Sequence, residues 1–184
     1  MNRIITSILL LVLPFVAGAM DLPEKKGFTW WKVEALKGAF LVPDGWHTKE
    51  VTRSDTLGYF ITKEEISDQS GFFETGLSLN VFKSFRAKKG IEPTRFIYGF
   101  KAGFSEKGKI LKEWSRDMGP FKSYGFISEG VVTGESTTIH HLFIINPKTG
   151  TVYYFFFEAP TEGFEEAWTY GEPMMKMLFI DDTI

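Results

Sequence analysis

The chain has 184 residues, of which 43% are hydrophobic and 24% charged, and its formal net charge is −2. This composition is typical of ordinary globular proteins, and a chain of this length can bury a core without the help of a metal or a disulfide. The sequence contains no cysteine. That absence excludes disulfide scaffolds, cysteine nucleophiles and thiolate metal sites.

The first 19 residues have the three parts of a secretory signal peptide. An arginine in "MNR" precedes a long apolar run, and the small residues Ala17 and Ala19 stand where signal peptidase recognises its substrate. The run is shorter than the ~20 residues that span a bilayer, and Pro14 interrupts it. We therefore expect cleavage after Ala19, export to the periplasm or the exterior, and one domain over residues 20–184 with no transmembrane span.

The mature chain begins with a series of predicted β-strands. Alternating hydrophobicity and turn residues predict them within 27–36, 38–43, 46–52, 57–65 and 76–85, and again, after a break, within 109–116, 124–132, 137–146 and 151–159. The last two are joined by "NPKTG", whose proline and glycine favour a turn. This pair is predicted to form a β-hairpin.

The break in the strand pattern, at residues 92–109, predicts an amphipathic helix. Pro93 suits a first helical position, and Phe96, Phe100 and Phe104 recur every four residues. Gly99 and Gly103 lie beside that stripe. We expect these glycines to allow the helix to approach the sheet closely.

A second helix is predicted at the end of the chain, within 161–182. Thr161 is a plausible N-cap, and Glu162, Glu165 and Glu166 suit the positive end of a helix dipole. Pro173 predicts a kink or a restart of the helix after Gly171.

The strand "TVYYFFFEAP", Thr151 to Pro160, fixes the predicted architecture. Tyr153, Phe155 and Phe157 point to one face of the sheet, and Val152, Tyr154 and Phe156 point to the other. Both faces are apolar, so both must be covered. We therefore predict an α+β fold in which an antiparallel sheet lies between two helical layers, an α/β/α sandwich with this strand at its centre.

Several segments in this order resemble the PsbP-like superfamily: "FLVPDGW" at 40–46, "LSLNVF" at 77–82, the mid-chain helix, and "HHLFIINPKTGTVYYFFFEAPTEGFEEAW" at 140–168. The resemblance covers residues 40–180. The superfamily includes the extrinsic photosystem II subunit, Ran-binding Mog proteins and bacterial DcrB-like envelope proteins. It implies an α/β/α binding scaffold without enzymatic activity, whose partners differ between branches, and it assigns no binding residue here.

The residues best suited to chemistry do not form a recognisable site. His140 and His141 are adjacent, so in a strand they point to opposite faces and cannot share one metal ion. His47 lacks an evident Ser or Asp partner, and the pairs Glu64–Glu65 and Glu165–Glu166 are typical of solvated edges and helix starts. We therefore predict no catalytic residue, no metal and no cofactor.

Glycine-rich phosphate loops and the HExxH and GxSxG motifs are absent from the sequence. The preferred interpretation is an exported binding or assembly module of the cell envelope. A small-ligand carrier, whose aromatic residues line a pocket, and a hydrolase with an unrecognised site stay open as alternatives.

Charge is distributed unevenly along the chain. Residues 83–112 contain nine basic and two acidic side chains, a net of +7, whereas residues 113–184 contain four basic and eleven acidic ones, a net of −7. We predict that Lys88, Lys89 and Lys101 contact an acidic protein or an anionic envelope surface. Nucleic acid is not expected, because an exported protein with a pI near 6.0 rarely meets it. An exposed Trp30 or Trp31 would be the next candidate contact.

Overall fold

Nine strands and three α-helices lie within residues 22–53, 56–67 and 73–184, the parts of the chain that a computed structural model describes. The strands are β1 (Phe28–Val33), β2 (Gly38–Pro43), β3 (His47–Arg53), β4 (Thr56–Thr62), β5 (Gly76–Phe82), β6 (Gly108–Met118), β7 (Phe121–Val132), β8 (Glu135–Asn146) and β9 (Thr151–Pro160). The helices are α1 (Phe85–Lys89), α2 (Pro93–Lys107) and α3 (Phe164–Lys176).

Seven of the strands form one antiparallel sheet in the order β3-β4-β5-β9-β8-β7-β6, and β1 and β2 pair separately. β9 is the fourth of the seven strands, so its predicted central position is confirmed. β8 and β9 form the predicted hairpin, in which Asn146 lies opposite Thr151. The α+β class is therefore confirmed, with a sheet built from antiparallel pairs.

One face of the sheet, here called the α3 face, carries Tyr153, Phe155 and Phe157, whose side chains have no exposed surface. α3 and the β1–β2 ribbon pack on this face, and their buried residues form one core with the three rings. Backbone hydrogen bonds join Ala39 of β2 to Phe179, just beyond α3. The layer on this face is therefore a helix together with a two-stranded ribbon, and not the helical layer that the sequence predicted.

The other face, here called the α2 face, carries Val152, Tyr154 and Phe156. Phe85 of α1 and the predicted stripe Phe96, Phe100 and Phe104 of α2 pack here. The cover is less complete: Ile97 is the one buried residue of α2, and Phe156 stays partly exposed beside Phe73. The predicted cover of this face is therefore present, but it encloses Phe156 only in part.

Three local predictions are also corrected. Thr161 is not an N-cap: it lies in a 3-10 turn before α3, where its hydroxyl bonds those of Ser136 and Thr138. α3 continues across Pro173 without restarting after Gly171. The segment after β5 contains the short helix α1, because five residues are too few to produce a helical pattern in the sequence.

The predicted leader and its cleavage residues, Ala17 and Ala19, lie outside the described residues. Within the described ranges, no helix has the length and apolar character needed to cross a membrane.

Candidate functional site

The predicted partner contacts lie on two helices of the α2 side. Lys88 and Lys89 occupy the last turn of α1 and are exposed, rather than lying in the expected loop. The Lys89 ammonium lies 5.9 Å from the centre of the Phe82 ring, a cation–π contact. Lys101 lies in the middle of α2, about 12 Å of helix rise beyond Pro93. The structure therefore separates Lys101 from the other two lysines.

Lys101 also has partners inside the chain. Its ammonium forms an ion pair with Glu113 of β6 and lies 6.0 Å from the centre of the Tyr98 ring. Its charge is thus largely compensated within the protein, and we expect it to contribute less to a partner surface than an exposed lysine does.

Two of the nine cations within residues 83–112 have carboxylate partners among the described residues: Lys101 with Glu113, and Arg86 with Glu92 at 2.9 Å. The Arg86–Glu92 pair links α1 to the residue before α2. Lys88 and Arg95 flank this link, are exposed, and form no ion pair with any described residue. The segment from α1 to the first turn of α2 therefore presents two exposed cations, Lys88 and Arg95, without an ion pair to a described residue, and we call it the basic segment.

His141 lies on the α2 face and is fully buried. Its Nε2 is 2.9 Å from the Ser128 hydroxyl and its Nδ1 is 2.8 Å from the Tyr154 hydroxyl. A neutral imidazole has one donor and one acceptor nitrogen, and each hydroxyl can play the complementary role. The hydrogen-bonding capacity of the ring is therefore filled by the protein itself.

Burial lowers the pKa of His141 to about 3, and the neighbouring His140 contributes to this shift. The same cause, desolvation, raises the pKa of Tyr154 well above 10, and nearby Glu158 adds to it. Both groups therefore stay neutral across the physiological pH range. A neutral and completely hydrogen-bonded trio of this kind favours a structural role.

His140 lies on the α3 face, so the prediction that the two histidines point apart is confirmed. The ring of His140 stacks on Trp168 of α3, with centroids 4.3 Å apart and planes 15° apart, and contacts Trp114 of β6 edge-on at 4.9 Å. Burial and the charge of Lys112 lower its pKa to about 4. These rings line a cleft of about 300 Å³ between β6 and α3, here called the Trp cleft.

The glycines of α2 do not have the role that the sequence predicted. A Cβ atom placed on Gly99 or Gly103 would have no atom within 4 Å, so neither glycine is required for close packing. Instead they line an open groove of about 500 Å³ beside Phe104 and Ile139. The interpretation of close approach to the sheet is therefore wrong.

The remaining candidates of the sequence analysis are dispersed. His47 and Glu65 are exposed, and Glu64 accepts hydrogen bonds from the backbone N–H groups of Glu74 and Thr75. Glu165 and Glu166 lie exposed in the first turn of α3, as predicted. No group of three or more possible metal ligands occurs in the described part of the chain.

The paired tryptophans near the start of the chain are both engaged with the protein. Trp30 contacts Phe179 edge-on at 5.1 Å, and its indole N–H donates to the Pro23 carbonyl. Trp31 contacts Tyr59 at 5.7 Å. Both are partly buried, so the expected exposed tryptophan is not found here.

Sequence reasoning missed the Trp cleft, because its rings come from three elements that are far apart in the chain. One signal was present at β7: Gly125 lies opposite Trp114, and a Cβ atom there would lie 2.2 Å from the indole. A glycine inside a strand often marks such a close approach, but only the strand register identifies its partner.

No protein-family model and no curated protein matches the sequence. Solved structures do resemble the fold. Cyanobacterial PsbP (CyanoP) from Synechocystis is 11% identical, with 90% of this chain and 98% of that one covered and a TM-score of 0.53. The Ran-binding protein Mog1p of Saccharomyces cerevisiae is 10% identical, with 85% and 96% covered and a TM-score of 0.55. The chain therefore has the fold of the PsbP-like superfamily, and the resemblance found in the sequence is confirmed at the level of the fold.

Proposed function

We propose that the chain is a non-enzymatic binding module of the cell envelope that contacts an acidic protein or an anionic surface through the basic segment. The observation that carries this proposal is the exposure of Lys88 and Arg95, neither of which forms an ion pair with a described residue. Exposed like charges on one segment repel each other unless a partner opposes them. An acidic partner removes that cost and is attracted from a distance.

The likeness to Mog1p supports a role in protein binding, since that protein is named for its binding to Ran. The arrangement of helices on both sides of the sheet supports the α/β/α scaffold that the superfamily implies. Such a scaffold keeps a stable core in its interior and leaves the outer faces of the helices available to partners.

The hydrolase alternative depends on the Ser128–His141 hydrogen bond, which has the length expected of a nucleophile and its base. Two features disfavour it. Ser128 borders the groove beside Gly103 but is only 2% exposed, so very little of its surface is accessible to a substrate. The third group is the Tyr154 hydroxyl rather than a carboxylate, and a neutral hydroxyl stabilises an imidazolium far less.

Export is the second part of the proposal and is supported by the predicted leader. Intact-mass measurement of protein recovered from the cell envelope should give a chain that begins at Met20. A mature species that retains Met1 would contradict it.

The binding surface is tested by reversing two charges, in the variant Lys88→Glu with Arg95→Glu. Both side chains are exposed, so we expect an unchanged melting temperature. A matched control, Lys25→Glu with Lys26→Glu, changes the net charge equally on another exposed segment. Lys101→Glu is unsuitable, because it would place a second carboxylate beside Glu113.

The measurement is capture from an envelope extract at low and high salt, together with co-sedimentation with phosphatidylglycerol or phosphatidylcholine vesicles. We expect wild type and control to capture the same partner in a salt-sensitive manner, and the double variant to lose it. If the double variant loses binding to phosphatidylglycerol vesicles but its capture of proteins is unchanged, the partner is a lipid surface instead of a protein. Unchanged capture and unchanged vesicle binding by the double variant would refute the proposal.

A further inference from the structure

The Trp cleft lies on the α3 side of the sheet, away from the basic segment. Its walls are the rings of Trp114, His140 and Trp168, and Leu142 and Met175 add apolar surface. A volume of about 300 Å³ is at the lower end of the range of small-molecule sites. The cleft therefore accommodates a compact ligand rather than a long chain.

The walls are held in place by packing before any ligand arrives. The indole of Trp114 lies against Gly125, where a Cβ atom would be 2.2 Å from the indole, so any side chain would collide with it. Trp168 is fixed between His140 and Phe164, with ring centroids 4.3 Å and 5.8 Å away. His140 and Phe164 cover both faces of the Trp168 indole, so a ligand can reach only the surfaces of these rings that border the cleft. Because the rings are ordered by the fold, a ligand that contacts these surfaces loses little of its binding energy to ordering them.

The charged groups of the cleft lie at its rim. Arg116 and Lys176 belong to the lining, with Asp117 as the one carboxylate. The Lys176 ammonium bonds the Glu172 carboxylate at 2.6 Å, whereas Arg116 has no ion-pair partner in the described ranges. Lys112 lies close enough to His140 to oppose its protonation. Arg116 is therefore the one cation of the lining without a carboxylate partner among the described residues, and its fork-shaped guanidinium is available for a ligand anion.

We propose that the Trp cleft binds a small planar aromatic molecule with a negatively charged group, its ring against the cleft-facing surfaces of Trp114, His140 and Trp168 and its anion at Arg116. Aromatic walls alone would also suit an organic cation through cation–π contacts. Arg116 disfavours that occupant, because a cationic ligand would lie beside its uncompensated charge.

The test uses three probes with one ring system and different charge: 1-naphthaleneacetate, 1-naphthaleneethanol and 1-naphthylmethylamine. Isothermal titration calorimetry on the mature chain gives the affinities. We expect the acetate to bind with a Kd below about 1 mM and about tenfold more tightly than the alcohol, the gain of one good ion pair. The amine should bind most weakly.

Two variants separate the contributions of the ring and the anion. Arg116→Gln should weaken the acetate about tenfold and leave the alcohol unchanged, whereas Trp114→Ala should weaken both probes. Lys122→Gln is the matched control, an exposed cation on the neighbouring strand that does not line the cleft. Because Trp114→Ala removes a partly buried ring, the wild-type indole N–H resonances provide a second measurement: those of Trp114 and Trp168 should shift with the acetate.

Three results of the affinity measurements would overturn the inference. They are no binding of any probe by wild type at millimolar concentration, equal affinities for acetate and alcohol, or tightest binding of the amine. Binding of the acetate without shifts at Trp114 and Trp168 would also overturn it, because the ligand would then lie elsewhere.

Discussion

The two faces of the central sheet are covered to different degrees. On the α3 face, a helix and a β-ribbon enclose Tyr153, Phe155 and Phe157 completely. On the α2 face, the covering helix contributes a single buried residue and carries two glycines that open a groove. The aromatic residues of β9 therefore contribute to two cores, one that is fully covered on the α3 face and one that is less completely covered on the α2 face.

The difference shows that an apolar strand face in the sequence predicts that another element packs on it, but not how closely that element packs. Helix α3 has Gly171 where the ring of Phe157 approaches, so helix and sheet meet closely. Helix α2 packs on the sheet through the large rings of Phe96, Phe100 and Phe104, whereas its glycines have no neighbours. The basic segment lies at the start of the more loosely packed helix.

The largest expected effect contrasts two adjacent rings of β9. Phe155→Ala should lower the free energy of unfolding by about 3–5 kcal/mol, because the ring is fully enclosed on the α3 face. Phe156→Ala should cost about half as much, because its ring is partly exposed. Chemical denaturation of the two variants measures both values, and equal losses would contradict the difference between the faces.

The buried trio on the α2 face gives the next largest effect. Tyr154→Phe leaves the Nδ1 of His141 buried without a hydrogen bond, which should cost about 1–3 kcal/mol of unfolding free energy. Tyr153→Phe is the control on the α3 face, since its hydroxyl makes only a 3.3 Å hydrogen bond to the carbonyl of Ile184. If the two variants are equally stable, the trio does not contribute to the fold.

A smaller effect concerns pH. The folded pKa values of His140 and His141, about 4 and about 3, lie below the ordinary 6.5, so the unfolded chain binds protons more readily. Stability is therefore lost as the pH falls from 6.5 toward those values, at most about 2 kcal/mol per histidine between pH 7 and pH 5.

Glu158 acts in the opposite direction. Burial raises its pKa from 4.5 to about 7, so its contribution is complete below pH 4.5 and is lost as the pH rises through 7. Glu158→Gln removes this opposing contribution, and the loss of stability from pH 7 to pH 5 should increase by about 1–2 kcal/mol. Thermal melts of this variant and of the exposed control Glu162→Gln measure the change. Identical pH profiles would mean that the pKa of the Glu158 carboxyl is not raised in the folded protein.

The central strand and the aromatic stripe of α2 could be predicted because each depends on a local repeat, of two residues in a strand and about four in a helix. The hairpin could also be predicted from a local signal, since its turn residues lie between two apolar runs. The strands β1 and β2 were predicted, but their separation from the large sheet and their position beside α3 were not, because nothing in residues 28–43 indicates which face of the larger sheet they cover.

The functional surfaces depended more on tertiary contacts. The sequence shows that residues 83–112 are basic, but not that Lys101 meets Glu113 on a neighbouring strand. Gly99 and Gly103 have the spacing of a close-packed helix face, and only the three-dimensional structure shows that they border open space. The Trp cleft combines β6, β8 and α3, and no linear pattern joins residues from three elements.

The contrast between a closed and an open face is tested most directly by adding one methyl group to each helix. Gly171→Ala places a Cβ atom 2.8 Å from the Phe157 ring and should destabilise the protein by about 1–3 kcal/mol. Gly103→Ala meets no atom within 4 Å and should stabilise it by about 0.5–1 kcal/mol, because alanine favours the helix. Chemical denaturation of both variants beside wild type should give changes of opposite sign, and changes of the same sign would contradict the account.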